Sequence, residues 1–321
     1  MTRWFLLVAA LAFAIVSGAN DGATLAATSS RSRAFSPLVS IAILTTAVAS
    51  VPLLFGAGVA TTLAHGLVSF QVSGGQVAFL AAVASALGVV FFLAWRGRPT
   101  SLTLALTGGI VGVGLGAHLA TRWATVIDVL GAGLAGPLLS AAVAFVLAPR
   151  IRRLLATGAV RERRARLFER VGFVIQSLAY GANDAAKLAA LLAVASAANV
   201  NPVHAQVIGQ LVLGVCFALG ALLAIRRIAA LVGEQITRAR HDATVSAIFG
   251  ASISVLGGAI GGMPLSSTQA TASALVGSSA RLGPWRVRWN EVRVLATAWT
   301  LTLPMSVGLG AALGLILQRQ W

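Results

Sequence analysis

The sequence Gly-Ala-Asn-Asp occupies residues 18–21 and recurs at residues 181–184, each time after a mostly apolar stretch. A carboxylate inside a membrane helix costs about 2.5–3.5 kcal/mol on insertion scales, so each aspartate needs a cation or a polar cavity. Gly, Asn and Asp are also weak helix formers, and a broken helix lets freed backbone groups face a ligand. Two polar helix caps would explain either copy alone, but the recurrence favours a functional site.

The composition indicates a polytopic membrane protein. Of the 321 residues, 58% are hydrophobic and 10% are charged, whereas soluble domains carry about 25% charged residues. A span needs about 20 apolar residues, which leaves room for about 10–12 transmembrane or re-entrant helical segments in an all-α fold. The net charge of +16 does not indicate a nucleic-acid partner, because the basic residues separate apolar runs. Cys216 is the only cysteine, which excludes an intrachain disulfide.

A basic segment at residues 150–170 separates two apolar halves. It holds eight arginines and two glutamates, and such a density beside membrane spans predicts a cytoplasmic location by the positive-inside rule. A solvated amphipathic helix is an alternative that is compatible with this location. We therefore predict a first transmembrane repeat at 1–149, a cytoplasmic linker at 150–170 and a second transmembrane repeat at 171–321, in the cell membrane. The N-terminus is similar to a signal peptide, but cleavage near residue 17 would cut into the motif, so we expect a retained span.

A second motif repeats at nearly the same distance from the first. The pattern Pro-x-Ser-x-Thr occurs at residues 99–103 and 264–268, which begin 81 and 83 positions after the glycine of each Gly-Ala-Asn-Asp sequence. Gly112 and Gly277 each follow 13 positions after the proline. This recurrence predicts a duplicated fold with discontinuous helices and hairpins, which is typical of a transporter whose site lies between its repeats.

The Pro-x-Ser-x-Thr motifs predict an anion site. Proline fits the first position of a helix, hydroxyls in the next turn add donors, and a helix N-terminus attracts an anion. The alternative is that these hydroxyls cap short helices or bond back to the i−4 carbonyl, but the pairing with the Asn-Asp motifs favours the anion site. The predicted hydroxyl donors are Ser101, Thr103, Ser266, Ser267 and Thr268.

The Asn-Asp pairs complete the predicted site. Asp21 and Asp184 would repel an anion unless a cation intervenes or they accept a proton from it. Together with Asn20 and Asn183 they form a hard-oxygen set suited to Na⁺, so we assign these four residues to both anion binding and cation binding. Hydrogen phosphate has a hydroxyl that can donate to a carboxylate and sulfate has none, which favours phosphate. No nucleotide-binding loop is present, so we expect secondary transport without a cofactor, apart from Na⁺ or H⁺ as the coupling ion.

These motifs resemble the signatures of the inorganic phosphate transporter family, which are Gly-Ala-Asn-Asp-Val-Ala-Asn-Ala in each half and Pro-Val-Ser-Thr-Thr-His in each hairpin. The sequence at 287–290 and 298–304 is also similar to the family's C-terminal end, so the resemblance covers essentially the whole chain. It implies an inverted-repeat carrier, often a homodimer, that drives phosphate uptake with Na⁺ or H⁺. Sulfate carriers exist within the same family.

The chain departs from these signatures at several polar positions. Thr24 and Lys187 replace the second asparagine of the two motifs, Leu104 and Gln269 replace the hairpin histidines, and Leu102 replaces one hairpin threonine. Lys187 is the only lysine in the chain and follows Asp184 by three residues, so the two can share a helix face. We hypothesise that its ammonium replaces one coupling cation, because Asp21, Asp184 and Lys187 sum to −1 where the aspartates alone give −2. Thr24 stands at the matching position of the first half and joins the predicted cation set. The alternative is that Lys187 extends away towards a polar interface.

Three other functions are compatible with parts of this pattern. A sulfate permease would use the same site. An intramembrane aspartyl protease would need the two carboxylates adjacent and sharing a proton, and it would not need two hydroxyl-bearing hairpins. An ion channel would show flux that does not saturate and does not depend on an oxyanion.

Overall fold

The computed structural model describes residues 2–31, 34–54, 58–96, 100–155, 161–195, 202–232 and 241–319. These ranges are helical and contain no strand beyond an isolated antiparallel bridge between Val68 and Thr121. Seven helices within them are long and apolar enough to cross a membrane. The predicted all-α, multi-pass membrane fold is therefore confirmed.

The two halves share their main elements in the same order, and the first half has an additional short helix and π-turn at residues 58–66 among the described residues. The first half runs through α1 (Thr2–Ser17), π1 (Gly18–Gly22), α2 (Ala23–Arg31), α3 (Pro37–Leu54), α4 (Gly58–Thr61), π2 (Thr62–Gly66), α5 (Gly75–Trp95), α6 (Leu102–Gly116) and α7 (Trp123–Leu155). The second half runs through α8 (Arg161–Tyr180), π3 (Gly181–Ala185), α9 (Ala186–Ala195), α10 (Pro202–Val232), α11 (His241–Ile260), α12 (Ser267–Leu282), a 3₁₀ turn (Pro284–Arg286) and α13 (Trp289–Gln318). Each half has a helix with a π-helical turn, then a long helix, a hairpin and a final helix.

The predicted linker is largely helical. Helix α7 continues to Leu155 and α8 begins at Arg161, so the basic segment forms the end of one helix and the start of the next. Residues 156–160 and Pro99 of the first hairpin motif lie outside the described residues. The boundaries of the two repeats stay a prediction.

The Gly-Ala-Asn-Asp motifs widen their helices without interrupting them. Each motif forms a five-residue π-helical turn, and Ser17 and Ala23 on either side of π1 keep right-handed helical backbone angles. The predicted discontinuity is therefore a local bulge inside a continuous helix. Such bulges alter the i→i+4 hydrogen-bond pattern and often occur at functional sites.

The glycine of each motif permits a backbone contact with the other half of the chain. A Cβ atom on Gly18 would lie 1.9 Å from the carbonyl oxygen of Phe217 in α10. A Cβ atom on Gly181 would lie 2.7 Å from the carbonyl oxygen of Ala47 in α3. Both π-turns therefore pack against the long helix of the opposite half, where only glycine fits.

The hairpins interleave the halves in the same way. Helix α6 of the first hairpin packs against α13, and α12 of the second hairpin packs against α7. The glycines at matching sequence positions make both contacts: a Cβ on Gly112 would lie 2.3 Å from the carbonyl oxygen of Val307, and one on Gly277 would lie 2.1 Å from that of Ala141. This exchange brings both π-turns and both hairpin tips towards one central region.

We predict that Gly18→Ala destabilises the protein by about 1–3 kcal/mol, the usual range for overpacking, because the new methyl group would overlap the α10 backbone. The thermal unfolding midpoint of the purified protein in detergent measures the effect. Gly131→Ala is the matched control, since a Cβ atom at this position in α7 meets no atom within 4 Å. Equal midpoints for the two variants would contradict the packing argument.

Candidate functional site

The structure brings the two Asn-Asp motifs together. The hydroxyl of Tyr180, the last residue of α8, donates a hydrogen bond of 3.3 Å to Oδ2 of Asp21 in π1. Asp21 also interacts electrostatically with Asp184 and Lys187. Both carboxylates are buried. The two motifs thus lie close together, as predicted, and the hydrogen bond of Tyr180 links them directly.

Asp184 and Lys187 form a buried ion pair at the centre of this region. Lys187 Nζ donates to Asp184 Oδ1, and the hydroxyl of Ser267 donates to Asp184 Oδ2. Lys187 Nζ also donates to Thr103 Oγ1 at 2.6 Å and to the carbonyl oxygen of Leu265 at 3.1 Å. The three donors of the ammonium group are therefore directed at a carboxylate, a hydroxyl and a carbonyl.

The two hairpin tips have the same local geometry. Ser101 and Ser266 are the N-caps of α6 and α12, and their hydroxyl oxygens accept from the backbone N–H three residues later at 3.3 and 3.4 Å. Ser266 Oγ and Thr268 Oγ1 share a hydrogen bond of 3.0 Å. The first N–H groups of both helices have no acceptor within the helix, as at any helix start, which makes each tip a potential anion site.

The two tips touch each other directly. Thr103 Oγ1 in α6 donates to the carbonyl oxygen of Leu265, which lies just before the α12 cap, at 3.1 Å. Because Lys187 also bonds both groups, the first hairpin, the second hairpin and α9 meet at one ammonium nitrogen. The site is therefore built from both halves of the chain.

The asparagines have different partners. Asn20 Nδ2 donates to Asp21 Oδ1 at 2.7 Å, and Thr24 Oγ1 donates back to the Asn20 carbonyl at 2.5 Å. Asn183 Nδ2 donates to the carbonyl oxygen of Met263 at 3.2 Å. Asn183 Oδ1 is buried and has no hydrogen-bond partner among the described residues. This oxygen is an acceptor that a cation or a protonated ligand could satisfy.

The role predicted for proline at the helix starts is wrong for the second hairpin. Helix α12 begins at Ser267 with Ser266 as its cap, so Pro264 lies two residues before the cap and not at the first helical position. Serine is favoured there because its side-chain oxygen accepts a backbone N–H, which proline cannot do. The capping alternative is thus correct for Ser101 and Ser266, although capping uses the oxygen as an acceptor and leaves the hydroxyl hydrogen free to donate.

Two groups at the site were not predicted. Tyr180 is the only tyrosine in the chain and immediately precedes the second motif, which was an available signal. The backbone carbonyl of Leu265 could not be predicted from the sequence, because every residue has a backbone carbonyl. It becomes a ligand of the ammonium group only because the extended residues before α12 lie against α9.

The two aspartates do not form a protease-like dyad. Asp184 is bonded to Lys187 and Ser267, whereas Asp21 is bonded to Asn20 and Tyr180. A shared proton would require the carboxyl groups to bond each other. What the arrangement offers instead is a set of oxygen ligands for a cation beside two helix starts and their hydroxyl groups.

Comparison with known proteins assigns the chain to a family. The family model described as "Phosphate transporter family" matches residues 17–171 and again residues 156–310. A Bacillus subtilis protein named "Probable low-affinity inorganic phosphate transporter" is 27% identical over 95% of this chain and 94% of its own length. A Mycobacterium bovis protein of the same name is 30% identical over 95% of this chain and 75% of its own length.

A solved structure entitled "The sodium-dependent phosphate transporter" has the same fold. It superposes with a TM-score of 0.82 over 100% of both chains at 19% sequence identity. Together with the match of the family model to both halves, these findings show that the chain belongs to the phosphate transporter family, a family of membrane transporters and not of enzymes.

Proposed function

We propose that this protein is a secondary carrier that takes up inorganic phosphate together with a cation, Na⁺ or H⁺. The observation that carries the proposal is the convergence of two hairpin tips and two π-turns on one buried polar site, joined through Lys187, Thr103 and Leu265. The names of the relatives, which refer to inorganic phosphate, and of the solved structure, which refers to sodium dependence, support the same substrate and a coupling cation.

The anion would lie between the starts of α6 and α12. Of the five predicted hydroxyl donors, Thr103 donates to Leu265 and Ser267 donates to Asp184, so both serve the protein itself. The donors that remain for an oxyanion are Ser101 and the bonded pair Ser266 and Thr268, with the backbone N–H groups of both helix starts. One hydroxyl of that pair is free to turn its hydrogen towards the ligand.

The unpartnered Asn183 Oδ1 favours phosphate over sulfate. A buried acceptor without a donor costs about 1–3 kcal/mol. Hydrogen phosphate carries a P–OH group that can donate to such an oxygen, and sulfate has no hydrogen to donate.

We infer the membrane placement from the distribution of positive charge. The arginines at 150–155 and 161–170 lie at the end of α7 and the start of α8, so we place this end of the molecule in the cytoplasm and the protein in the plasma membrane. Trp285 and Trp289, both exposed, suit an anchor at the same interface. We also propose that the halves are inverted repeats and that the protein is a homodimer, as the family resemblance implies.

Counterflow in proteoliposomes tests the substrate. We expect labelled phosphate to exchange against internal phosphate and arsenate with saturable kinetics, and against sulfate much more weakly, because the site supplies an acceptor for a protonated oxyanion. Faster exchange with sulfate would identify a sulfate permease. Flux that neither saturates nor responds to an oxyanion would indicate a channel and would sink the carrier proposal.

Removal of a hydroxyl donor tests the position of the anion. Ser101→Ala and Ser266→Ala should each weaken the apparent affinity for phosphate roughly 10- to 100-fold, because a hydrogen bond to a charged group contributes about 1.5–3 kcal/mol. Ser246→Ala is the matched control, since Ser246 is a buried serine whose hydroxyl bonds the Asp242 carbonyl of its own helix at 2.7 Å. An unchanged half-saturation concentration in both variants would place the anion elsewhere.

A further inference from the structure

The two halves carry a neutral and a charged residue at matching positions of their motif helices. Thr24 and Lys187 each lie six residues after the first glycine of their motif. Thr24 is neutral, and its hydroxyl donates to the Asn20 carbonyl of its own helix at 2.5 Å. Lys187 extends into the site and is only 1% exposed. The matching positions therefore place an ammonium group in direct contact with Asp184 and a neutral hydroxyl near Asp21.

The surroundings of Lys187 Nζ are those of a bound cation. A carboxylate oxygen of Asp184, a hydroxyl oxygen of Thr103 and a carbonyl oxygen of Leu265 surround the nitrogen. Hard cations such as Ca²⁺ and Mg²⁺ take oxygen ligands of this kind in proteins. A buried ammonium needs such partners, because an uncompensated buried charge costs several kcal/mol. Because all three of its donors are used, the ammonium group is held in place and occupies the position that a cation would take among these oxygens.

Asp21 feels the charge of Lys187 but has no cationic group in direct contact among the described residues. Its hydrogen bonds come from two neutral donors, Asn20 Nδ2 at 2.7 Å and the Tyr180 hydroxyl at 3.3 Å. No salt bridge to Asp21 occurs within the described part of the chain. A buried carboxylate with neutral donors only is the remaining place in the site for a mobile positive charge.

We propose that the two cation positions of this carrier are not equivalent. Lys187 permanently fills the position in the second half, and the position around Asp21 and Tyr180 in the first half is the one that binds an exchangeable Na⁺ ion. The inference rests on the proposed cation-coupled transport and deepens it. It means that each transport cycle carries one cation fewer than it would with a neutral residue at position 187.

The number of bound Na⁺ ions can be counted without any substrate. A ligand that binds only the folded protein raises its stability with the logarithm of ligand concentration, and the slope scales with the number of ions bound. The purified protein would be unfolded thermally in increasing NaCl, with choline chloride holding the ionic strength constant and phosphate absent. We expect the native slope to correspond to one Na⁺ and the Lys187→Met slope to be about twofold steeper.

Further variants keep the test decisive if Lys187→Met does not fold, since it leaves Asp184 buried without its counter-ion. Asp184→Asn/Lys187→Met removes both charges and should keep the native slope. Thr24→Lys places an ammonium beside Asp21 and should abolish the Na⁺ response. Its matched control is Thr28→Lys, one turn further along α2 at a half-buried threonine that also bonds the i−4 carbonyl, and this variant should keep the native slope.

Equal slopes for the native protein and Lys187→Met would overturn the inference, as would a native protein without a Na⁺ response or an undiminished response in Thr24→Lys. These results are independent of the anion, because phosphate is absent from the measurement. Failed phosphate counterflow with the expected Na⁺ slopes would therefore reject the proposed substrate alone. Phosphate exchange with equal slopes would reject only the inequality of the two cation positions.

Discussion

The buried ammonium of Lys187 is the constraint on which the centre of the molecule depends. A charge that is 1% exposed in an apolar protein requires compensating partners, and here the oxygens come from Asp184 in π3, from Thr103 in the first hairpin and from Leu265 just before α12. Loss of any of these partners would leave a buried charge incompletely bonded. The hydrogen bonds of Lys187 thereby hold the two hairpin tips against each other and against α9.

Close backbone packing makes this meeting possible. The π-turns approach α10 and α3 so closely that the carbonyl oxygens of Phe217 and Ala47 occupy the space of a side chain at Gly18 and Gly181. Gly112 and Gly277 do the same for the hairpins. Small residues at helix contacts are the usual means by which membrane helices approach, since lipid supplies little hydrophobic drive for their association. The glycines thus bring the polar atoms of distant segments within bonding distance.

The motifs could be recognised in the sequence because they are short polar segments within long apolar ones. Asp21 and Asp184 were recognised because a carboxylate in a membrane helix has a high insertion cost. The two hairpins were recognised because their motif is repeated, and Lys187 because it is the only lysine. Predictions from local sequence were wrong where the role of a residue depended on a contact with a distant segment. Pro264 was predicted to be the first residue of α12, but Ser266 caps this helix and Ser267 begins it. Thr103 and Ser267 resembled anion donors, but each donates to a protein oxygen, because Leu265 and Asp184 lie beside them.

The sequence by itself determined the class of protein, the duplication and the identity of the polar residues, because membrane insertion imposes a charge cost that each residue carries wherever it lies. Only the tertiary structure decided which of these residues meet. Tyr180 and Asp21 are 159 positions apart, and Lys187 and Thr103 are 84 apart. Such pairs depend on which helix faces pack together. A hydroxyl or a carbonyl group can bond many partners, and packing decides which partner lies within hydrogen-bond distance.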